Sequence, residues 1–199
     1  SYQFNPNPKG YLAFLGRICP EKRVDLAIRI AERLGMELRI AAKVDPVDQT
    51  YFETIIEPMF KSPYVDYVGE IGEGEKNAFL GHASALIFPI DWPEPFGLVM
   101  IEAMACGTPV VAFRKGSVPE IVRNGITGFI VDDLEEAVEA VKKIPLLSRD
   151  RCRKYFEDHF TVRRMADDYL AIYEKLIAKR APLPISFKKP GFDVPLTAG

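Results

Sequence analysis

The stretch from Phe96 to Phe113, FGLVMIEAMACGTPVVAF, decides most of the fold prediction. Its apolar residues from Leu98 to Cys106 predict a buried helix, and the turn Gly107-Thr108-Pro109 leads into a short apolar strand. Glu102 is the only charged side chain among these eighteen residues. A carboxylate in a buried helix must find hydrogen-bond partners or lose its charge. An internal ion pair or capping bond and a ligand-binding role both remain open for this residue alone.

Outward from this stretch, short apolar strands alternate with amphipathic helices. Strands are predicted at 11–15, 37–42, 65–68, 85–89, 109–113 and 128–131, with helices at 24–34, 49–60, 75–83, 98–106, 118–122 and 134–144 between and after them. Six strands separated by helices predict an α/β fold with a doubly wound parallel sheet and helices on both faces. In such a sheet, ligands bind at the carboxyl edge.

The C-terminal part of the chain departs from this alternation. Helices are predicted at 149–158 and 161–179, so the sheet is followed by extra C-terminal helices. The segment 181–199 holds four prolines and two glycines without an apolar period. We therefore predict a domain at 1–180 and a Pro-rich segment at 181–199 that is either a tail or a strap across another surface.

Composition excludes several classes of function. The chain of 199 residues is 48% hydrophobic and 27% charged, which is ordinary for a globular protein. Its net charge of -2 gives no global attraction to nucleic acid or to an anionic membrane. Three cysteines without a C-x-x-C pair, and no signal-peptide pattern at the N-terminus, predict a cytoplasmic protein. His82 and His159 lie far apart in the sequence without metal-ligand spacing, so we expect no metal.

A second carboxylate accompanies Glu102. Glu94 lies eight residues earlier, in a turn between two prolines. Phe96, Gly97 and Leu98 then place free backbone N–H groups at the start of the predicted helix, and a helix N-terminus binds anions. Each carboxylate can accept hydrogen bonds from two hydroxyls while the helix end takes a phosphate. This arrangement suits a ligand that is both a polyol and a diphosphate.

Two loops at other strand ends supply further candidates. The turn that starts at Gly16 carries Arg17 and Lys22, which can reach one diphosphate or can be solvated loop charges. The loop at 68–74, with Gly69 and Ile71, can wrap a flat base with its backbone or can be a flexible connector. Its glycines do not make the G-x-G-x-x-G of a dinucleotide fold.

Several residues have a structural role as an alternative. Ser117 is expected to cap the helix that follows it. The pair Asp132-Asp133 has the look of a metal-binding acidic pair, but N-capping of the helix that begins at Leu134 explains it better. Trp92 and Phe96, beside Glu94, form either an aromatic wall for a sugar ring or a packed turn.

Taken together, these motifs resemble the C-terminal domain of glycosyltransferase family 4. The resemblance spans about residues 9–179, and its most specific part is Glu-x7-Glu followed by Gly-Thr-Pro-Val. The sequence departs from the family at Arg23 and Ser117, where glycine is frequent. The motifs are Gly16-Arg17, Glu21-Lys22, the run from Glu94 to Ala112, Gly116, Pro119-Glu120-Ile121-Val122, Asn124-Gly125 and Thr127-Gly128.

The resemblance implies a Rossmann-like domain that is the C-terminal half of a GT-B fold. Such a domain binds a nucleotide-diphospho-sugar, whose sugar moves to an acceptor with retention of configuration and without a metal or cofactor. Carried over, Arg17 and Lys22 would hold the diphosphate and neutralise the leaving group. Glu102 would accept hydrogen bonds from the ribose hydroxyls, and Glu94 would contact the donor sugar. The N–H groups of Phe96, Gly97 and Leu98 would complete the phosphate-binding cradle.

The resemblance also predicts a partner. The acceptor-binding N-terminal domain is absent from these residues, so we expect it in cis or in trans, with any peripheral membrane association only through that domain. The start at Ser1, without Met, is read as a sign that the unit was cut from something longer. A non-catalytic nucleotide-sugar-binding module or subunit remains the alternative. A generic dinucleotide binder is disfavoured because the first turn carries Arg17 and lacks the glycine fingerprint.

Overall fold

The computed structural model describes residues 2–179, and the predicted tail at 181–199 lies outside the described residues. The chain divides into two units, the first ending at Thr161 and the second beginning at Val162. The first unit contains the sheet and its helices. Helix α8 (Val162–Lys179) belongs to the second unit.

The sheet of the first unit is parallel throughout. Its strands are β1 (Leu12–Arg17), β2 (Leu38–Lys43), β3 (Val65–Gly69), β4 (Ala85–Phe88), β5 (Val110–Phe113) and β6 (Gly128–Val131). Their order is β3-β2-β1-β4-β5-β6, and every neighbouring pair is parallel. This confirms the predicted six-stranded, doubly wound α/β sheet. The winding direction changes between β1 and β4, which opens a crevice at their carboxyl ends.

Helices connect the strands on both faces of the sheet. In the first unit the α-helices are α1 (Val24–Leu34), α2 (Gln49–Tyr51), α3 (Glu73–Gly81), α4 (Leu98–Ala105), α5 (Val118–Ile121), α6 (Leu134–Lys143) and α7 (Arg149–His159). Helix α1 ends at Gly35, which adopts the left-handed conformation and donates its N–H to the last helical carbonyls. Helix α6 begins where the Asp133 carboxylate accepts the N–H of Glu136, as predicted for an N-cap.

One predicted helix is wrong. Instead of a continuous helix at 49–60, the chain forms a 3-10 turn (Pro46–Asp48), the single turn α2, a π turn (Phe52–Ile56) and a second 3-10 turn (Glu57–Lys61). Pro58 explains this outcome because it has no N–H to donate, and its ring collides with the preceding helical turn. The backbone therefore widens into the π turn before Pro58 and then tightens.

The strands bury residues on both faces, which builds one core on each side. Leu12 and Phe14 of β1 pack with α1 and α6, whereas Ala13 points to the opposite core, where α4 lies. Alternate residues of a strand face opposite sides, so a strand covered on both faces is apolar throughout. Leu12 is fully buried, and fully burying one Leu side chain contributes about 1.5–3 kcal/mol.

Helix α8, described by itself, has 18 residues. Arg164 and Asp168 form an ion pair one turn apart, with 2.9 Å between Nε and Oδ2. Among residues 2–179, no helix combines the length and the apolar character that crossing a membrane requires.

Candidate functional site

The crevice between β1 and β4 brings Lys22 and Glu94 together from positions 72 residues apart. Lys22 closes the 3-10 turn Pro20–Lys22 that follows β1, and Glu94 lies in the loop between β4 and α4. Lys22 Nζ donates to Glu94 Oε2 at 2.5 Å, and the two side chains are 23% and 15% exposed. The two charges therefore neutralise each other at the edge of the crevice.

The loop that carries Glu94 is held by its neighbours. Asp91 donates its N–H to the carbonyl of Glu21 at 2.8 Å, which fastens the loop to the turn after β1. Ser117 donates its N–H to the Glu94 carbonyl and its hydroxyl to the Phe96 carbonyl, each at 2.9 Å. Ser117 therefore occupies the N-cap position of α5, as expected, but its hydroxyl makes no capping hydrogen bond because it is bonded to the loop that carries Glu94.

Gly116 makes this close approach possible. Its φ of +50° is left-handed, and a Cβ at this position would overlap the backbone of Glu94. A residue with a side chain would push the two loops apart. The pair Gly116-Ser117 therefore fixes the position of the Glu94 turn.

The N-terminus of α4 opens into the crevice. Gly97 takes the left-handed conformation (φ 73°) just before the helix, and a Cβ there would collide with the Met100 methyl. Among the described residues, the backbone N–H groups of Phe96, Gly97 and Leu98 have no acceptor. Leu98 is 64% exposed, so the prediction that the helix is buried from its first residue is wrong. The exposed first turn leaves these N–H groups available to an anion.

Glu102 lies one turn further along α4. Its side chain is 20% exposed, and Lys76 Nζ on α3 lies 3.6 Å from its Oε1. Lys76 is also hydrogen-bonded to Glu73, which raises the pKa of Lys76. Burial, together with the neighbouring Glu102 carboxylate, raises the pKa of the Tyr2 phenol. Glu102 thus has an internal ion pair, as one alternative predicted, and also a face open to the crevice.

Arg17, at the end of β1, has a carboxylate partner that the sequence analysis missed. Its guanidinium is 55% exposed and lies 3.0 Å from Asp45 Oδ2, while Lys43 Nζ lies 2.9 Å from Asp45 Oδ1. The hydrogen bonds from Lys43 and Arg17 lower the pKa of Asp45. Asp45 follows β2, the neighbour of β1, so its position at a strand end was the available signal.

Arg23, where the resembling family has glycine, adopts the left-handed conformation with φ 51°. A bidentate pair of hydrogen bonds from its guanidinium to Asp25, both at 2.9 Å, holds it there. The bonds offset the strain that a side chain carries in this conformation. The departure at this position therefore leaves the backbone in the conformation that glycine favours.

Three adjoining pockets make up one groove along the carboxyl edge of the sheet. We name them the inner, middle and outer pockets, with volumes of about 360, 340 and 350 Å³. The inner and middle pockets share Leu15, Gly16, Leu98 and Val99, and the middle and outer pockets share Lys22 and Glu94; Arg17 lines all three. Of the other predicted residues, Glu102 and Ile71 line the inner pocket, and Phe96 and Gly97 line the middle pocket.

The loop after β3 contributes less than predicted. Ile71 and its neighbour Glu70 line the inner pocket, whereas Gly69, which ends β3, does not. Lys43 and Lys76 line the same pocket and were missed by the sequence analysis. Lys76 lies in the first turn of α3, just after the glycine-rich loop, but no spacing rule marked it as part of the site.

The histidines take no part in the groove. His159 stacks on the Tyr155 ring with centroids 4.1 Å apart. Within residues 2–179, no three His, Cys, Asp or Glu side chains are grouped so that they could hold a metal ion. The absence of a metal from the reaction stays a prediction.

Comparison with known proteins adds the family. Residues 3–158 match the family described as "Glycosyl transferases group 1". The chain belongs to this family. The E-x7-E run that carries Glu94 and Glu102 lies inside the matched region, and so do Arg17 and Lys22.

Relatives within the glycosyl transferases cover most of this chain. It is 33% identical over 173 residues to "D-inositol 3-phosphate glycosyltransferase" of Mycobacterium sp. (strain KMS), covering 81% of this chain and 36% of that protein. It is 30% identical over 199 residues to "Probable sucrose-phosphate synthase" of Thermosipho melanesiensis, covering 94% of this chain and 45% of that protein. The chain thus spans less than half the length of either relative.

A solved structure agrees with the fold. The crystal structure of AviGT4, a glycosyltransferase involved in avilamycin A biosynthesis, superposes with a TM-score of 0.76 at 26% identity. The alignment covers 90% of this chain and 56% of that one. The sheet described above is therefore that of GT-B glycosyltransferases, as the resemblance implied.

Proposed function

We propose that this chain is the donor-binding domain of a retaining glycosyltransferase that transfers a sugar from a nucleotide-diphospho-sugar to an acceptor hydroxyl. One observation carries the proposal. Within a single groove, two carboxylates, Glu94 and Glu102, flank the free N–H groups at the N-terminus of α4. Membership in the glycosyl transferases group 1 supports the same chemistry.

The three pockets match the three parts of such a donor. The inner pocket would take the nucleoside, with the ribose hydroxyls on Glu102 and the base against the loop at Ile71. The middle pocket would take the diphosphate, because it lies at the N-terminus of α4 beside Lys22. The outer pocket would take the sugar, whose hydroxyls would donate to Glu94.

The basic residues would change partners when the donor binds. Lys22 is paired with Glu94, and Arg17 with Asp45. A diphosphate in the middle pocket offers both cations a more highly charged acceptor, which would release the two carboxylates. Glu94 would then be available to the sugar hydroxyls.

The same residues would lower the barrier to transfer. The bond between the anomeric carbon and the diphosphate oxygen breaks, its electron pair stays on the diphosphate, and a new bond forms to the acceptor oxygen. Lys22, Arg17 and the α4 N–H groups would stabilise the growing negative charge in place. The acceptor proton would pass to the leaving phosphate or to a group in the acceptor domain. We propose no metal and no cofactor besides the donor.

The acceptor side of the cleft would come from another domain. Because the chain covers 36% and 45% of the two relatives, we propose that an acceptor-binding N-terminal domain acts in cis or in trans. A cytoplasmic location belongs to the same proposal.

Isothermal titration calorimetry of the chain with UDP, GDP and ADP and their sugar conjugates tests the binding step. We expect at least one conjugate to bind, and we expect Glu102→Ala and Arg17→Ala to weaken it by at least about tenfold. Arg33→Ala is the matched control, because Arg33 is 54% exposed and ion-paired like Arg17 but lies outside the groove. The assignment fails if no conjugate binds at millimolar concentration, or if the two groove variants bind as well as the parent.

The alternative is a non-catalytic nucleotide-sugar-binding module. It makes the same binding predictions, so turnover must be measured with the acceptor-binding domain present, in the parent polypeptide or in a copurifying chain. Transfer by the complete assembly that is lost in Lys22→Ala, even at a donor concentration that saturates the variant, supports the enzyme. Binding without transfer in the complete assembly supports the module.

A further inference from the structure

The outer pocket contains an exposed aromatic side chain that the binding steps above do not use. Trp92 is the single tryptophan of the chain, it is 47% exposed, and it lines the outer pocket together with Lys22 and Glu94. Phe96, the other aromatic residue of this loop, is 50% exposed but lines the middle pocket. Of the two, only Trp92 lies where the sugar of the donor would be.

The backbone around Trp92 is fixed. Its carbonyl accepts the N–H of Glu94 at 2.7 Å, and the preceding Asp91 is fastened to the Glu21 carbonyl. Pro93 and Pro95 restrict the backbone further. Because the turn is already fixed, a ligand that contacts the Trp92 ring orders little further backbone, so the entropy cost of binding there is low.

We propose that Trp92 is the stacking platform for the sugar ring of the donor and that it determines how much the sugar adds to donor affinity. The inference rests on the proposed function. A pyranose ring has C–H groups on its face, and when the ring stacks on an indole, their partly positive hydrogens contact the electron-rich face of the indole. Its hydroxyls lie around the rim, where Glu94 can accept their hydrogen bonds. An aromatic face beside a carboxylate in one pocket therefore fits a sugar better than it fits a phosphate, and the proposed function assigns the base to the inner pocket.

The fluorescence of the chain reports this contact directly, because Trp92 is its only tryptophan. A titration is run with the nucleoside diphosphate that calorimetry selects and, separately, with its sugar conjugate. We expect the conjugate to shift or quench the emission, and the diphosphate alone to change it much less. Equal changes with both ligands, or none with either, would overturn the proposal.

Two variants measure the contribution of the ring. Trp92→Ala should weaken binding of the sugar conjugate by about tenfold and leave binding of the nucleoside diphosphate within about twofold. Trp92→Phe, which keeps an aromatic face, should restore affinity for the conjugate to within about threefold of the parent. Leu146→Ala is the surface control, since Leu146 is 83% exposed and lies outside the three pockets.

The outcomes separate the two proposals. If no nucleoside diphosphate or conjugate binds the parent chain, the proposed function fails, and this inference fails with it. If both bind and Trp92→Ala weakens them equally, or weakens neither, the donor site stands and the stacking role is wrong. Circular dichroism of each variant confirms that it is folded, and the fluorescence titration of the parent chain tests the contact without any substitution.

Discussion

Replacing Arg149 by alanine should destabilise the protein more than any other change to an arginine of α7. The Arg149 guanidinium is partly buried and makes four hydrogen bonds. Its acceptors are the carbonyls of Asn5, Gly81 and Ala83 and the hydroxyl of Thr108, at distances of 2.8, 2.8, 2.9 and 2.7 Å. It thereby ties the N-terminal segment, the end of α3 and the turn after α4 to α7.

The expected loss follows from these bonds. A hydrogen bond to a charged group contributes about 1.5–3 kcal/mol, so four would contribute about 6–12 kcal/mol if they were additive. Burial of the guanidinium opposes this contribution, as the lowered pKa of Arg149 indicates, and water reaches part of the vacated space. We therefore expect the free energy of unfolding to fall by about 3–5 kcal/mol.

Urea denaturation followed by far-UV circular dichroism measures this change. Arg151→Ala is the matched control because Arg151 lies on the same helix and is exposed, so its loss should stay within about 0.5 kcal/mol. Arg149→Lys should fall between the parent and Arg149→Ala, since an ammonium has fewer donors and no fork. A loss below about 1 kcal/mol in Arg149→Ala would refute the reasoning that these bonds fasten the site's scaffold.

Three further predictions concern the groove and the core. Gly97→Ala should lower the free energy of unfolding by about 1–2 kcal/mol, because Gly97 has φ 73°. Gly74→Ala should be neutral or stabilising, because an added Cβ at Gly74 would meet no atom within 4 Å. Equal effects of the two substitutions in urea denaturation would contradict this prediction. Asp45→Asn should tighten nucleoside diphosphate binding about twofold to fivefold in calorimetry by freeing Arg17, and unchanged or weaker binding would argue against a role for Arg17. Burial raises the thiol pKa of Cys19, of Cys106 to about 11 and of Cys152 to about 12. The unfolded chain therefore loses these protons first, and the free energy of unfolding should fall as pH rises above the ordinary thiol pKa of about 8.5. A thiol reagent at pH 8 should react with these three cysteines only after the protein unfolds. Rapid labelling of the folded chain would show that these thiols are not buried.

The sheet could be predicted from the sequence because its signal is local. Each buried strand is a short apolar run, and each helix shows its own period, so the alternation identifies a parallel sheet without any long-range contact. The predicted helix at 49–60 is wrong even though Pro58 was visible within it. The helical spacing of apolar residues continues past Pro58 in the sequence. The helical hydrogen bonds of the backbone cannot continue past it, because proline has no N–H to donate.

The site could be predicted only in part. Glu102 stands out because a charge interrupts an apolar run, and Glu94 because it lies between two prolines just before the glycine that precedes α4. Asp45 was marked only by its position after β2, and Lys76 by nothing, since they become neighbours of Arg17 and Glu102 only after strands and helices distant in the sequence come together.

The exposure of the first turn of α4 could not be predicted from hydropathy. A run of apolar letters predicted that Leu98 is buried, yet it is 64% exposed at the groove. Hydropathy records the composition of a helix, but it does not show which of its turns opens into a crevice.

The most direct test of the central claim is an amide NMR titration of the chain with the nucleotide-diphospho-sugar that binds. We expect the backbone N–H resonances of Phe96, Gly97 and Leu98 to move most, because a diphosphate would accept hydrogen bonds from them, with smaller shifts around Ile71 and Glu102. A bound donor that leaves these three resonances unmoved and shifts amides on another face of the sheet would contradict the proposed site.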